Sequence, residues 1–185
     1  MDKEFKDIFN ETLGYEGGID ARNPNNIANM GIEQTTLDSW NHRHKLPKED
    51  VKTISYGKAR DIGYNDYYKD PKIDKVFSPR LKAVMFDYEF NSGNRRSVKA
   101  MQEAVGTKAD GKIGPKTLKA IKDYIKKNGQ SALVGAVIDQ REQFMDSIKY
   151  TDPKKWMENK NGWANRIQKQ RNKYLQQPNV EGNPQ

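Results

Sequence analysis

An all-α protein is predicted, on three observations. Apolar residues recur at helical spacing in segment after segment, alternating segments are almost absent, and several segments open on residues that start helices, Ser78-Pro79 and Gly114-Pro115 among them. At 185 residues the chain is long enough to bury a sizeable core.

The first helix is capped by Asp2, carries Phe5, Ile8, Phe9 and Leu13 on one face, and is expected to run to Glu16. From Ile19 to Ile32 the chain is rich in asparagine and reads as an irregular loop, since these side chains bond their own backbone and suit turns. A second helix is expected from Thr35, whose spacing to Asp38 resembles a capping box, with Leu37 and Trp40 inward. A third follows Ser55 and ends in the aromatic cluster Tyr64, Tyr67 and Tyr68, suited either to stacking on sugar rings or to packing at a helix end. Ser78-Pro79 then opens what reads as the central buried helix, with Leu81, Val84, Met85 and Tyr88 at i, i+3, i+4 and i+7, stopping at Asn91-Ser92-Gly93. Beyond it come a helix with Val98 and Met101, a tight turn over Ala109 to Pro115, and a helix with Leu118, Ile121 and Ile125. A longer one is expected from Ser131 to Ile148, and a last one opening at Asn161-Gly162-Trp163. Residues 177 to 185 have no core face and read as a loose tail. The best division places one domain at 1–86 and a second helical half at 87–176.

Thirty-three Lys and Arg against 25 Asp and Glu give a net charge of +8, which favours a polyanionic partner without choosing among nucleic acid, acidic membrane and acidic cell-wall polymer. The absence of cysteine excludes disulfides and thiolate zinc sites and leaves the redox compartment open. The first residues lack the pattern of a signal peptide, so synthesis in the cytoplasm is expected, and the longest apolar segment, Ala132 to Ile138, is too short to span a membrane. His42 and His44 are two apart and point to different helix faces, so no metal site is expected. Neither a Ser-His-Asp or Cys-His arrangement nor a phosphate-cradling glycine loop is readable. Arg95, Arg96, Lys99, Lys108, Lys112 and Lys116 gather around the Asn91 and Asp110 turns as a local positive surface.

The strongest candidate for chemistry is Glu16, within Leu13-Gly14-Tyr15-Glu16-Gly17-Gly18. At about 100° per residue it falls within about 20° of Phe5 and Phe9 on the helical wheel, hence towards the core side. The two glycines end the helix at no steric cost and leave Glu16 at the negative end of the helix dipole. Burial and dipole both favour the protonated carboxyl, the state that a general acid needs to cleave a glycosidic bond. On position alone, a solvated glutamate at a helix end fits as well.

Tyr15-Glu16-Gly17-Gly18, followed by Asn29-Met30-Gly31-Ile32, resembles the N-terminal signature of glycoside hydrolase family 108, lysozyme-like muramidases of phage endolysins and bacterial genomes. Phe86 to Gly93, Gln102, Gly106, Asp110 to Leu118 and Gly162 to Arg166 are similar to the predicted peptidoglycan-binding region that completes those proteins. The resemblance implies a lysozyme-like fold, Glu16 as catalytic acid, and cleavage of the β-1,4 bond between N-acetylmuramic acid and N-acetylglucosamine in peptidoglycan. It departs at Ile19, at Asn23-Pro24-Asn25-Asn26 and at Ala28, so a second acid and a threonine of the family's loop have no counterpart there. Asp20 is the nearest ionisable substitute and is expected to activate the attacking water, with a plain turn residue as the alternative. Gln34 and Asn91 are expected substrate contacts, although an asparagine before glycine at a helix end needs no ligand. No metal or organic cofactor is implied. The expected partner is peptidoglycan, met by a monomer without nucleic acid or stable membrane insertion, and reached through a holin lesion. A wall-binding or secretion-associated protein without catalysis remains the other reading, and a basic nucleic-acid binder would leave the Glu16 motif without a purpose.

Overall fold

The computed structural model describes residues 3–14, 19–21, 26–93 and 95–176. The chain forms two compact units, Met1–Asp70 and Pro71–Gln185. Eight α-helices, one small hairpin, two short 3-10 helices and one π-helical turn make up the regular structure of the described residues, so the protein is all-α with a lysozyme-like helical fold.

In the first unit, α1 (Lys3–Gly14) buries Phe5, Ile8, Phe9 and Thr12, the face that the spacing predicts. Asp2, Tyr15 and Glu16 lie outside the described residues. Phe5 is the hub of the core here. Its ring meets Tyr64 and Tyr68 at 4.9 Å and Phe9 at 5.9 Å. Truncating such a fully buried ring to alanine costs about 3–5 kcal/mol. Tyr64 and Tyr68 belong to a π-helical turn, Gly63–Lys69, that continues α3 (Tyr56–Ile62). The wider turn brings both tyrosines onto Phe5, so these two members of the cluster pack at a helix end. Ser55 caps α3 as expected, its side chain accepting from the Lys58 amide at 3.2 Å.

Asn23, Pro24 and Asn25 lie outside the described residues, and the part of the Asn-rich stretch that follows them is more regular than its composition suggests. Ala28–Asn29 (β1) and Ile32–Glu33 (β2) form an antiparallel hairpin joined by Met30-Gly31. Both turn residues have positive φ, 49° and 73°, the combination that a two-residue turn needs to match strand twist. α2 (Gln34–Arg43) begins one residue before Thr35, and its N-cap, Glu33, makes no side-chain cap bond. Asn26 does the capping, with Oδ1 accepting from the Thr35 amide and hydroxyl at 3.3 Å. The capping box expected from Thr35 is therefore replaced by a partner from the preceding loop.

In the second unit, α4 (Pro79–Ser92) is the buried centre, with every residue from Ala83 to Phe90 inaccessible. Ser78 Oγ accepts from the Leu81 amide at 3.1 Å and Pro79 occupies the first turn, as the sequence predicts. α5 (Arg96–Ala104) and α7 (Gln130–Thr151) pack against α4, α6 (Pro115–Asn128) packs on α7, and α8 (Pro153–Leu175) lies along α7 and reaches α4 through Arg166. α7 and α8 form an antiparallel hairpin, and a Cβ added at Gly135 would lie 3.8 Å from Leu175 at the far end of α8. α8 is continuous from Pro153, where Asp152 caps it by accepting from the Lys155 amide at 3.0 Å. It runs through Asn161-Gly162, where the sequence reading placed a start. A helical glycine costs about 1 kcal/mol relative to alanine. Burial of Arg166, Ile167, Gln170 and Tyr174 along the same helix outweighs that.

Candidate active site

Glu16 lies outside the described residues, as do its glycine neighbours. The chain re-enters at Ile19, and Asp20 is held in extended form against β1. Its amide donates to the Ala28 carbonyl at 2.8 Å and its carbonyl accepts from the Ala28 amide at 2.9 Å. On its other side Ala28 pairs with Glu33. Asp20, Ala28 and Glu33 therefore form one row across three extended segments, and paired residues in antiparallel sheets put their side chains on the same face.

The opposite face is fixed by burial. Ile32 is fully inaccessible, and its partner Asn29 donates from Nδ2 to the carbonyls of Val51 and Lys52 at 3.2 and 3.0 Å. With Asn29 and Ile32 inward, the alternation of the strands turns Ala28 and Glu33 outward. Glu33 is exposed, and Asn26 Nδ2 donates to its Oε2 at 2.7 Å. Sequence reading missed Glu33. The signal that points to it is the Met30-Gly31 turn, which fixes the hairpin register.

Gln34 opens α2, and its side chain is engaged at both ends. Nε2 donates to Asp38 Oδ1 at 3.0 Å and to the Glu49 carbonyl at 2.9 Å, while Oε1 accepts from the Val51 amide at 2.8 Å. It ties the hairpin and α2 to the segment around Val51. Nearby, Lys58 pairs with Glu49, and its hydrogen bond, with a further one from Asn41, holds the Glu49 carboxyl below its ordinary range.

Asn91 belongs to the second unit. It is exposed at the end of α4, and its Nδ2 donates to the Asp87 carbonyl at 2.7 Å, one turn back. Two acids on α4 carry the buried electrostatics. Glu89 Oε1 accepts from the Arg95 amide at 2.7 Å, and its Oε2 accepts from the Ser97 hydroxyl at 2.7 Å, which anchors the start of α5. Asp87 is enclosed by Arg141, Arg166 and Gln170. Burial alone would raise its pKa, but the two guanidinium groups outweigh that and hold its carboxyl below the usual range.

The turn before α6 is organised by Gln102, which is buried. Its amide hydrogens are shared among Asp110 Oδ1, the Lys112 carbonyl and Thr117 Oγ1 at 2.9, 3.1 and 3.3 Å, and its Oε1 accepts from the Gly111 amide at 2.8 Å. The bond from Gln102, with one from the Lys112 amide, lowers the Asp110 pKa. Gly111 has φ of +74°, and a Cβ there would come within 2.9 Å of the Arg95 Cβ, so Arg95 and Lys99 lie directly against this turn. Lys99, Lys108, Lys112 and Lys116 are exposed around it. Among the described residues no helix is long and apolar enough to cross a membrane.

The model of the family Glycosyl hydrolase 108 matches residues 9–93, and that of the Predicted Peptidoglycan domain matches residues 96–168. The solved structure of Brucella abortus SagA superposes with a TM-score of 0.75 and 26% sequence identity, covering 94% of this chain and 96% of that one. No curated protein sequence matches the chain. Glu16, Asp20, Gln34 and Asn91 all fall inside the glycosyl hydrolase match, whereas the Gln102 turn and the α7–α8 hairpin carry the peptidoglycan match. Residues 9–93 belong to glycosyl hydrolase family 108 and residues 96–168 to the predicted peptidoglycan domain, which makes the chain a glycoside hydrolase whose partner is the peptidoglycan of the cell wall.

Proposed function

We propose that the protein is an N-acetylmuramidase that cleaves the β-1,4 bond between N-acetylmuramic acid and N-acetylglucosamine. Glu16 protonates the departing glycosidic oxygen, and Asp20 accepts a proton from the water that attacks the anomeric carbon. The observation that carries this reading is the backbone at Asp20. α1 is described over Lys3–Gly14, and Asp20 is paired with Ala28 in extended form. Asp20 has therefore left the helix, whereas a continuous helix would stack residues 16 and 20 on one face at about 5–6 Å between Cβ atoms, too close for a water between them. The division of work follows the earlier boundaries: residues 1–86 cleave and residues 87–176 hold the wall polymer, while the tail expected at 177–185 lies outside the described residues.

Gln34 supports the site by holding the Val51 segment against the hairpin, and Asn91 meets substrate with its exposed amide. The protein acts as a monomer and, as an endolysin of phage type, reaches the wall through a holin lesion. Purified protein added to a peptidoglycan suspension is the direct test. Clearing that releases glycan fragments, an α-anomeric first product and a large rate loss in Asp20→Asn with folding retained are expected. If the suspension does not clear while the protein still sediments with the wall, the non-catalytic wall-binding reading replaces this one.

A further inference from the structure

We propose that the tip of the α7–α8 hairpin is a wall-contact surface, where Tyr150 stacks on a sugar ring of the glycan and Lys149, Lys154, Lys155 and Lys160 meet the carboxylates of the stem peptides. The proposal rests on the reading above that residues 87–176 hold the wall polymer, and it is independent of the cleavage chemistry. It starts from exposure. Among the described residues the two most exposed large hydrophobic side chains are Tyr150 at 82% and Met157 at 61%, and both fall at this tip, seven residues apart. Single hydrophobic residues on a surface are ordinary, whereas large ones gathered in one place mark an interaction site.

Cations surround them. α7 ends at Thr151 and α8 opens at Pro153, so the two helix ends meet here. Lys149 Nζ lies 5.9 Å from the Tyr150 ring centroid and 5.5 Å from that of Trp156, and Lys160 Nζ lies 4.8 Å from the Trp156 centroid. One ammonium group thus borders both rings, and a second flanks the indole. Lys154 and Lys155 are exposed in the first turn of α8. None of these four lysines makes an ion pair among the described residues, whereas Lys119 and Arg171 in the same unit are paired with Asp123 and with Asp139 and Glu142. Asp152, the nearest acid in sequence to Lys154, spends its carboxylate on the Lys155 amide. The tip therefore offers aromatic faces beside uncompensated positive charge, which fits a partner that carries sugar rings and carboxylates together.

Continuity with the Gly111 turn points to a polymer. Arg95 lies against Gly111, the guanidinium of Arg96 lies 4.6 Å from the Phe144 ring centroid, and Tyr150 follows Phe144 by six residues, about 9 Å along α7. A short path over one unit links the lysines of that turn to those of the tip. A wall strand with a stem peptide on each repeat can engage both, and linked weak contacts reinforce one another through effective concentration. An anionic bilayer matches the charge less well, because the exposed carboxylates of Asp152 and Glu158 would face its headgroups. The tip also lies inside the match to the predicted peptidoglycan domain.

The test is sedimentation in the cold with purified peptidoglycan stripped of accessory polymers, with thermal unfolding read for every variant. Tyr150→Ala should lower wall affinity about tenfold, while Tyr150→Phe, which keeps the ring, should stay within about twofold of wild type. Lys154→Gln/Lys155→Gln should lose about threefold to tenfold and show a weaker fall of binding with salt. Unfolding should not change, since these side chains are exposed. Lys126→Gln/Lys127→Gln, an equal loss of charge on the exposed end of α6, should bind as wild type does. Wild-type affinity in Tyr150→Ala and in Lys154→Gln/Lys155→Gln would overturn the proposal and leave the wall-holding reading standing. The same loss in Lys126→Gln/Lys127→Gln as at the tip would also overturn it, because only net charge would then matter. Sedimentation with phosphatidylglycerol vesicles that is lost in Tyr150→Ala would assign the tip to a membrane instead. If the wild-type protein does not sediment with the wall at all, the wall-holding reading falls and this proposal with it.

Discussion

Arg166 grips Asp87 with a two-pronged fork, Nε to Oδ2 at 3.0 Å and Nη2 to Oδ1 at 2.5 Å, across 79 residues of sequence. Arg141 supplies a second guanidinium to the same carboxylate, and its charge also lies 5.4 Å from the Tyr88 ring centroid. Burial of Tyr88, only partly offset by that charge, pushes its phenol up to about 12. α4, α7 and α8 are thus joined at one buried ionic centre.

Removing Asp87 strands two buried cations. Asp87→Asn should destabilise the protein by about 3–5 kcal/mol, the usual consequence of breaking one partner out of a buried ion pair. The folded pKa of Asp87 lies below its ordinary value of 3.8, so its stabilisation is fully present above that pH and is lost as pH falls through the lower, folded value. Urea midpoints for wild type and Asp87→Asn should differ by a constant amount at neutral pH and converge only below about pH 3.8. A gap that closes already at neutral pH would contradict this.

The Gln102 turn should be intolerant of small changes. Gly111→Ala introduces a side chain at φ of +74° and within 2.9 Å of the Arg95 Cβ, and should cost more than about 1 kcal/mol. Gln102→Leu removes the acceptor of the Gly111 amide and leaves buried groups unpaired, at about 1–3 kcal/mol each. Thermal unfolding of the two variants measures both. Wall sedimentation should weaken in parallel if this turn presents Lys108 and Lys112 to the polymer.

Much of this architecture is legible in the sequence, and the failures have physical causes. Ser78-Pro79 announces α4 because capping and proline chemistry are local, and the apolar faces of α1 and α4 follow from spacing alone. The hairpin was hidden because two-residue strands are too short for any alternation to register, and Met30 is not a residue that usually marks a left-handed turn. Asn161-Gly162 reads as the start of α8 because local propensity favours a break there, whereas packing along α7 decides otherwise. Asp87 was legible as part of a buried helix, but its partners at 141 and 166 depend on how helices distant in sequence pack. In the candidate site, the Glu16 motif and the neighbouring Asp20 stand out by residue type. Glu33 becomes visible only through strand register.

Lysis should weaken as salt rises. The chain carries a net charge of +8 and meets an acidic polymer, and exposed charges are screened beyond about 10 Å at 0.1 M ionic strength. Lys99, Lys108, Lys112 and Lys116 are the exposed cations around the Gly111 turn. Replacing Lys108 and Lys112 by glutamine should flatten the salt dependence of wall clearing. An unchanged salt dependence would mean that this surface does not steer the polymer.

The central claim is that Glu16 donates the proton in muramidase cleavage, and the chemistry of the cut ends tests it most directly. Purified peptidoglycan is digested with wild type and with Glu16→Gln, and the new reducing ends are assigned by borohydride reduction and mass analysis. The account predicts reducing N-acetylmuramic acid from the wild type and at least about a 10²-fold slower release from a normally folded Glu16→Gln, the usual loss when a general acid is removed. Reducing N-acetylglucosamine, or release by Glu16→Gln above about a tenth of the wild-type rate, would contradict it.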